Sequence, residues 1–253
     1  MTERWPAWCH DLATAVIFLT RVPIPWHVPD VATRLHRCTP WFPLVGVLVG
    51  ACGALVWAVV ALIGPPPLAA LAAVATTALV TGAFHEDGLA DTFDGLGGSP
   101  DRETALAIMK DSRLGTFGAV ALFVGLAGRV AALIALGGLA PVALVGAHAL
   151  ARYSSLPAIR WLAYARSDGG TGKPFAGGIS APGLLAASGA TLVLSAVLLG
   201  AAFAAAWLGA AVAAAAVIGW SRRRLGGITG DTLGAANQAA ELGVYLALIA
   251  VWV

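Results

Sequence analysis

Two stretches of this chain, 38–85 and 174–221, contain no Asp, Glu, Lys or Arg, and each is 48 residues long. A helix of about 20 apolar residues crosses the hydrocarbon core of a bilayer, so each stretch has room for two spanning helices. The composition of the whole chain supports this interpretation, because 59% of its residues are hydrophobic and only 11% are charged. A soluble domain carries about 25% charged residues. The sequence therefore predicts an integral membrane protein whose outer surface faces lipid.

Breaks in the apolar stretches predict where one helix ends and the next begins. The clearest are Gly64 with the three prolines after it, a break near Trp207, and the Gly137-Gly138 pair before Pro141. The resulting spans lie near 43–63, 68–84, 183–204 and 207–221, in the two halves of 117–161, and at 232–253. We expect an all-α polytopic membrane helix bundle of about seven transmembrane helices, in a single domain of residues 1–253. The segment 12–20 is expected to be interfacial or re-entrant.

The basic residues predict the orientation. With the N-terminus in the cytoplasm, the cytoplasmic segments contain 12 of the 15 basic residues, which is the asymmetry of the positive-inside rule. These segments are 1–42, 85–116, 162–182 and 222–231. We therefore expect a multi-pass protein of the cell inner membrane. The net charge of +2 and the scattered basic residues argue against a nucleic-acid partner. An oligomer is compatible with the sequence.

The segment 85–116 carries the strongest chemical signal. Seven of the thirteen acidic residues lie between Glu86 and Asp111. Asp87, Asp91 and Asp94 have the spacing i, i+4, i+7, which places them on one stripe of a helix. Three like charges repel there, and a divalent cation with a preference for oxygen ligands removes that cost. Nearby, Ser99 and Pro100 are typical of a helix start, with Ser99 as its N-cap.

Polar residues also fall within the predicted spans. Arg129 and Arg152 are costly in lipid unless they are paired or face a cavity, so both are candidates either for an anionic substrate or for helix-to-helix pairing. His148, four residues before Arg152, is interpreted as an interior histidine with a hydrogen bond. In the last span, the oxygen-bearing residues Asp231, Gln238 and Glu241 share one face, which must point inward. The glycine-rich segment 167–173 lacks P-loop spacing and is interpreted as a linker.

These residues resemble the cobalamin synthase family, also called adenosylcobinamide-GDP ribazoletransferases, over nearly the full length. The matching segments are 18–23, 42–46, 86–95, 109–118 and 229–235. The acidic motif followed by Lys110-Asp111-Ser112-Arg113-Leu114-Gly115 is very specific. The family usually has His-x-Asp-Gly at the start of this motif, and His85-Glu86-Asp87-Gly88 retains it.

The resemblance implies a reaction and its participants. The family joins adenosylcobinamide-GDP to the 3′-hydroxyl of α-ribazole, or of its 5′-phosphate, and releases GMP with Mg²⁺ as cofactor. Such a displacement depends on positioning and charge neutralisation more than on covalent chemistry. We expect Asp94 to accept the hydroxyl proton, and Lys110 and Arg113 to stabilise the leaving phosphate. The expected Mg²⁺ ligands are Glu86, Asp87, Asp91 and Asp231. The expected substrate contacts are His85, Asp111, Arg129, Arg152, Asn237 and Glu241.

Two other functions share features with this sequence, but their patterns match it less well. CDP-alcohol phosphotransferases do related chemistry, but their motif has Asp-Gly-x-x-Ala-Arg, whereas here Ala90 is followed by Asp91. A cation or solute transporter is expected to place its polar groups near the middle of the membrane on broken helices. Most of the acids here are predicted at one face of the membrane instead.

Overall fold

The computed structural model describes residues 5–166 and 178–253, and these ranges form α-helices with short 3-10 turns and no strand. The predicted all-α class is therefore confirmed. The helices are α1 (Ala7–Leu19), α2 (Val31–Cys38), α3 (Phe42–Ala61), α4 (Pro66–Thr81), α5 (Phe84–Gly98), α6 (Arg102–Ile108), α7 (Thr116–Leu136), α8 (Ala140–Trp161), α9 (Ala181–Leu199), α10 (Phe203–Leu225) and α11 (Gly230–Trp252). The segment 167–173 lies outside the described residues.

Four continuous helical stretches of the described chain are long and apolar enough to cross a membrane. They are Val31–Ala61, Thr116–Trp161, Ala181–Leu225 and Gly230–Trp252. The second and third, 46 and 45 residues long, are each interrupted by a 3-10 turn, so each holds two helices of spanning length. The chain is thus a membrane helix bundle. The number of seven spans stays a prediction.

The interruptions show why the helices end where they do. The turn Gly137–Leu139 falls at the predicted break, and Gly137 has a φ of 54°. The other break was predicted near Trp207 but lies at Gly200–Ala202, where Gly200 has a φ of 55°. A positive φ is readily adopted by glycine, which makes Gly200 the natural end of α9. Trp207 instead lies inside α10, where its indole donates a hydrogen bond to Ser195 Oγ at 2.8 Å.

Glycines bring several helices unusually close together. A Cβ on Gly46 or Gly50 of α3 would collide with the backbone of α8, and one on Gly209 of α10 would collide with Gly243 of α11. Small residues at such crossings allow close van der Waals packing, which is a main source of helix association in lipid. The interior of the bundle is therefore built on backbone contacts between α3 and α8 and between α10 and α11.

A tight turn between α4 and α5 places the acidic helix. Gly82 and Ala83 have φ values of 65° and 56°, and the two helices meet at an angle of 90°. Helix α5 consequently does not continue the direction of α4. It packs across α11 and α7. This turn therefore decides which helices the acidic side chains meet.

Helix α6 begins later than predicted. Its N-cap is Asp101, whose carboxylate accepts a hydrogen bond from the Thr104 amide at 2.8 Å. Ser99, the predicted N-cap, has an extended backbone and accepts from the Asp101 amide at 3.2 Å. An aspartate two residues further along competes well as an N-cap, because its charge suits the helix dipole.

Candidate active site

Asp87 and Asp91 lie one turn apart on α5, with Asp87 exposed and Asp91 half-buried. Asp231, in the first turn of α11, is close enough for its charge to interact with both of them. We call these three residues the acidic face. Of the predicted helical stripe, Asp87 and Asp91 lie together and Asp231 is close to them as predicted, whereas Asp94 is turned towards α7. Like charges held together in this way favour the binding of a cation.

The acidic face forms because α5 and α11 cross at two glycines. A Cβ on Gly88 would lie 2.8 Å from the Asp231 carbonyl oxygen and 3.2 Å from the Gly234 Cα. Thr229 caps α11 through reciprocal hydrogen bonds with Thr232. Asp231 is therefore not needed as the cap, and its side chain is available to face α5. The backbone contact at Gly88 thus brings Asp231 beside Asp87.

The donor set suits a magnesium ion that is shared with a substrate. Among the described residues, no group of three or more His, Cys, Asp or Glu side chains is assembled with metal-binding geometry. Mg²⁺ is commonly held by one or two carboxylates together with substrate phosphates and water, so a complete protein cage is not required. The carboxylates of Asp87 and Asp91 fit that mode of binding. They do not fit a structural metal site enclosed by protein.

Arg166 is the positive partner of the acidic face. Its Nη2 donates to Asp231 Oδ2 at 2.7 Å. The isolated bridge between Tyr164 and Ile228 brings the segment after α8 beside the segment before α11 and so positions Arg166. Arg166 was not predicted as a site residue from the sequence. A single isolated bridge between distant segments leaves no periodic signal in the sequence.

Glu86 does not lie with the predicted metal ligands. It is buried and accepts from Arg129 Nη2 at 3.1 Å and from Gln238 Nε2 at 3.3 Å. Adjacent residues on a helix point about 100° apart, so Glu86 faces the bundle interior while Asp87 faces outward. This geometry does not support a metal-binding role for Glu86.

Asp94 holds the start of α7. Its Oδ2 accepts from the Gly115 amide at 2.7 Å, and its Oδ1 accepts from the Gly118 amide at 2.8 Å. These amides are among the unpaired donors that every helix N-terminus presents. Both carboxylate oxygens are therefore engaged, and the group is only 8% exposed. Because neither oxygen is left free to meet a substrate hydroxyl, the geometry favours a positioning role for Asp94 over the predicted role as the base.

The loop between α6 and α7 carries Lys110, Asp111 and Arg113. The Arg113 guanidinium forms an ion pair with Asp111, and its hydrogen bonds lower the pKa of Asp111 to about 2. Lys110 and Arg113 are exposed to solvent. The structure thus places these residues on one exposed loop. Asp94 holds the end of this loop through its hydrogen bonds to the start of α7. Their predicted contacts with phosphate stay predictions.

A charged cluster lies inside the bundle. Arg129, 1% exposed, is placed between Glu86 and Glu241, with Nη1 3.5 Å from Glu241 Oε2. Arg152 Nη1 donates to His148 Nδ1 at 2.6 Å and lies 4.0 Å from Glu241 Oε2. Two arginines and two glutamates balance in charge. The interpretation of His148 as an interior, hydrogen-bonded histidine is confirmed. For Arg129 and Glu241 the geometry favours helix pairing over contact with substrate.

Three other predicted substrate contacts meet at a cleft between the helices. His85, Arg152 and Asn237 line it together with residues of α1 and α3. The cleft adjoins the acidic face, because Gly230 and Gly234 of α11 line it as well. Side chains that the sequence places far apart are therefore brought to one point beside Asp231.

Comparisons with known proteins agree with the sequence resemblance. A profile of the family described as cobalamin-5-phosphate synthase matches residues 11–249. A protein of Leptothrix cholodnii named adenosylcobinamide-GDP ribazoletransferase is 46% identical over 94% of both chains. Proteins with the same name from Ralstonia nicotianae and Shewanella amazonensis are 42% and 39% identical, over 96% and 94% of this chain and 95% and 94% of their own. No solved structure matches the chain.

Proposed function

This chain belongs to the cobalamin-5-phosphate synthase family and is a membrane transferase of cobalamin biosynthesis, and on that premise we propose how its residues carry out the transfer. The 3′-hydroxyl of α-ribazole, or of its 5′-phosphate, attacks the corrin-side phosphorus of adenosylcobinamide-GDP. A phosphodiester bond forms, the bond to the GMP phosphate breaks, and GMP leaves with the electron pair.

The acidic face is proposed to bind the diphosphate of the donor. Asp87 and Asp91 would hold Mg²⁺, with Asp231 completing or orienting the site through its bond to Arg166. When bound, Mg²⁺ neutralises charge on the diphosphate oxygens. The proximity of Asp231 to Asp87 and Asp91, produced by the crossing at Gly88, is the observation that carries this proposal.

The loop after α6 is proposed to receive the leaving GMP. Lys110 and Arg113 provide positive charge at its surface, and Arg113 is oriented by Asp111. An arginine fork matches phosphate oxygens well. Acceptance of the hydroxyl proton by Asp94 stays a prediction, and the hydrogen bonds of Asp94 favour a role in holding this loop.

The site is proposed to face the cytoplasm from the inner membrane, with the N-terminus on the same side. The distribution of 12 of the 15 basic residues supports this orientation. Cysteine accessibility tests this orientation. The thiol of Ser112→Cys, on the exposed loop, is expected to react with a membrane-impermeant maleimide only in inside-out vesicles. Labelling in intact spheroplasts would reverse the assignment.

The function itself is tested by release of GMP. Purified full-length enzyme in detergent is given adenosylcobinamide-GDP, α-ribazole and Mg²⁺. We expect stoichiometric GMP and corrinoid product, and none when EDTA replaces Mg²⁺. Asp87→Asn and Asp91→Asn are each expected to lower kcat/KM by about 100-fold or more, because charge stabilisation of the diphosphate is lost. Activity of either variant at the wild-type level would overturn the assignment of the acidic face.

A further inference from the structure

The cleft next to the acidic face is used by no step of the reaction above. Its walls are three phenylalanines from three helices, Phe18, Phe42 and Phe84. Its polar end consists of His85, Arg152 and Asn237. We call this space the aromatic cleft. All the residues that line it belong to α1, α3, α5, α8 and α11.

The walls of the aromatic cleft are suited to a flat apolar ring. The Phe18 ring centroid lies 6.0 Å from that of Phe42 at an interplanar angle of 11°, and 5.3 Å from that of Phe84 at 78°. Stacked and edge-on arrangements of this kind are the ones in which aromatic rings attract each other. The three rings pack against one another, so an aromatic ligand that enters the cleft meets their outer faces and edges.

The polar end holds three atoms without a partner in the described chain. They are His85 Nδ1, Arg152 Nε and Asn237 Oδ1, on side chains that are 4%, 2% and 2% exposed respectively. A buried polar atom that lacks a hydrogen bond costs free energy, so such atoms are rare unless a ligand or a water meets them. Three of them around one cleft indicate a ligand with its own donors and acceptors.

We propose that the aromatic cleft binds the nucleoside acceptor, with the base of α-ribazole packed against the phenylalanines. This inference rests on the proposed function. The benzimidazole base has two apolar faces and one ring nitrogen that accepts a hydrogen bond, which Arg152 Nε–H supplies. The ribose hydroxyls are polar enough to meet Asn237 and His85. Gly230 and Gly234 line the cleft beside Asp231, so the 3′-hydroxyl reaches towards the acidic face.

The donor substrate suits this cleft less well. Guanine carries several donors and acceptors along its edge, and a phenylalanine wall would leave most of them unpaired. A corrin is a large macrocycle that carries many amide groups at its edge. The three unpaired atoms of the cleft are too few to bind those amides. The nucleoside acceptor is therefore the substrate that fits both the apolar walls and the small polar end.

The kinetic test separates the two substrates. GMP release is measured with full-length enzyme while each substrate is varied in turn. Phe18→Leu and Asn237→Leu are expected to raise the KM for α-ribazole about tenfold and to leave the KM for adenosylcobinamide-GDP unchanged. Phe123→Leu is the matched control, because Phe123 is 73% exposed on α7 and is not among the residues that line the cleft. It is expected to change neither value.

A binding measurement without the donor completes the test. Isothermal titration of the wild-type enzyme with α-ribazole is expected to show one saturable site, weakened about tenfold in Asn237→Leu, with 5,6-dimethylbenzimidazole as a competitor. Phe84→Leu serves as a second wall variant if Phe18→Leu does not fold. A rise in the KM of the donor instead, or unchanged α-ribazole binding, overturns the cleft assignment. Absence of GMP release by the wild type would refute the proposed function instead.

Discussion

Asp94 connects two parts of the molecule through a single carboxylate. Its oxygens accept hydrogen bonds from the backbone amides of Gly115 and Gly118. A Cβ on either glycine would overlap the Asp94 side chain. The side chain therefore fixes the first turn of α7, and with it the end of the loop that carries Lys110 and Arg113. At the scale of one residue, the distinction between a base and a positioning residue is open to direct test.

Asp94→Asn is expected to destabilise the enzyme by about 1–2 kcal/mol, because an amide replaces one of the two acceptors at a helix N-terminus. Thermal unfolding in detergent measures this loss. Turnover is expected to fall several-fold, with the pH dependence of kcat unchanged in shape. Gly118→Ala, which displaces the carboxylate without removing it, is expected to reproduce both effects.

Gly98→Ala is the control for these variants, since a Cβ there would lie 3.6 Å from Ile108, an ordinary contact. A different result would restore the base assignment: Asp94→Asn with wild-type thermal stability, and a kcat that no longer depends on pH in acid. In that case Gly118→Ala would behave unlike Asp94→Asn.

Asp87 and Asp91 of the acidic face were predictable because their signal is periodic. Asp87 and Asp91 are one helical turn apart in any α-helix, whatever the tertiary fold. Glu86 and Asp94 belong to the same motif, yet they face Arg129 and the α7 amides. Those partners are supplied by other helices. Helical spacing predicts which side chains share a face, and it cannot predict what another element places opposite them.

At the scale of the elements, the contact between α5 and α11 depends on Gly88. Gly88→Ala places a Cβ 2.8 Å from the Asp231 carbonyl oxygen, so the helices must separate. We expect a fall in kcat of about 100-fold, since a shift of about 1 Å in positioning groups has that effect. Steady-state release of GMP measures it.

Gly219→Ala is the matched control for Gly88→Ala, because nothing lies within 4 Å of a Cβ at Gly219 of α10. It is expected to keep wild-type activity. If Gly88→Ala were as active as Gly219→Ala, the close crossing would have no part in forming the site.

The turn before α5 carries strain that a substitution can remove. Ala83 has a φ of 56°, a left-handed conformation that costs a residue with a Cβ about 1–2 kcal/mol. Ala83→Gly is therefore expected to stabilise the enzyme by about 1 kcal/mol in thermal unfolding. Ala72→Gly, inside α4, is expected to do the opposite by a similar amount. A loss of stability in both variants would contradict the strain at Ala83.

The element boundaries were predictable where a strong breaker stands alone. Gly64 with its prolines and Gly137-Gly138 end helices as predicted. Around Trp207, alanines and glycines are so frequent that no single residue is marked as the break, and the chain turns at Gly200. The 90° angle between α4 and α5 depends on two consecutive left-handed residues, one of them an alanine, which no sequence pattern indicates.

At the scale of the whole molecule, the buried charges join four helices. Glu86 of α5, Arg129 of α7, Arg152 of α8 and Glu241 of α11 form one balanced cluster. Tyr245 adds a hydrogen bond to Glu241 at 3.2 Å. A balanced cluster is tolerated in the interior, but removal of one member leaves its partner charged and alone.

Glu241→Gln is expected to destabilise the bundle by about 3–5 kcal/mol, because Arg129 and Arg152 lose their shared counter-charge. Thermal unfolding and resistance to proteolysis in detergent measure the effect. The control is Glu103→Gln on the exposed first turn of α6, which is expected to change stability little. Equal stability of the two variants would show that the cluster contributes nothing to the assembly.

The corner at Gly82 and Ala83 also limits how the length of the chain can vary. Every residue added after it rotates the rest of α5 by about 100°. A single insertion between Ala83 and Asp87 would move the aspartate into the place of Gly88, where the Asp231 backbone leaves no room for any side chain. This short stretch therefore accepts no gain or loss of a residue, whereas the exposed connection after α3 has no such restriction.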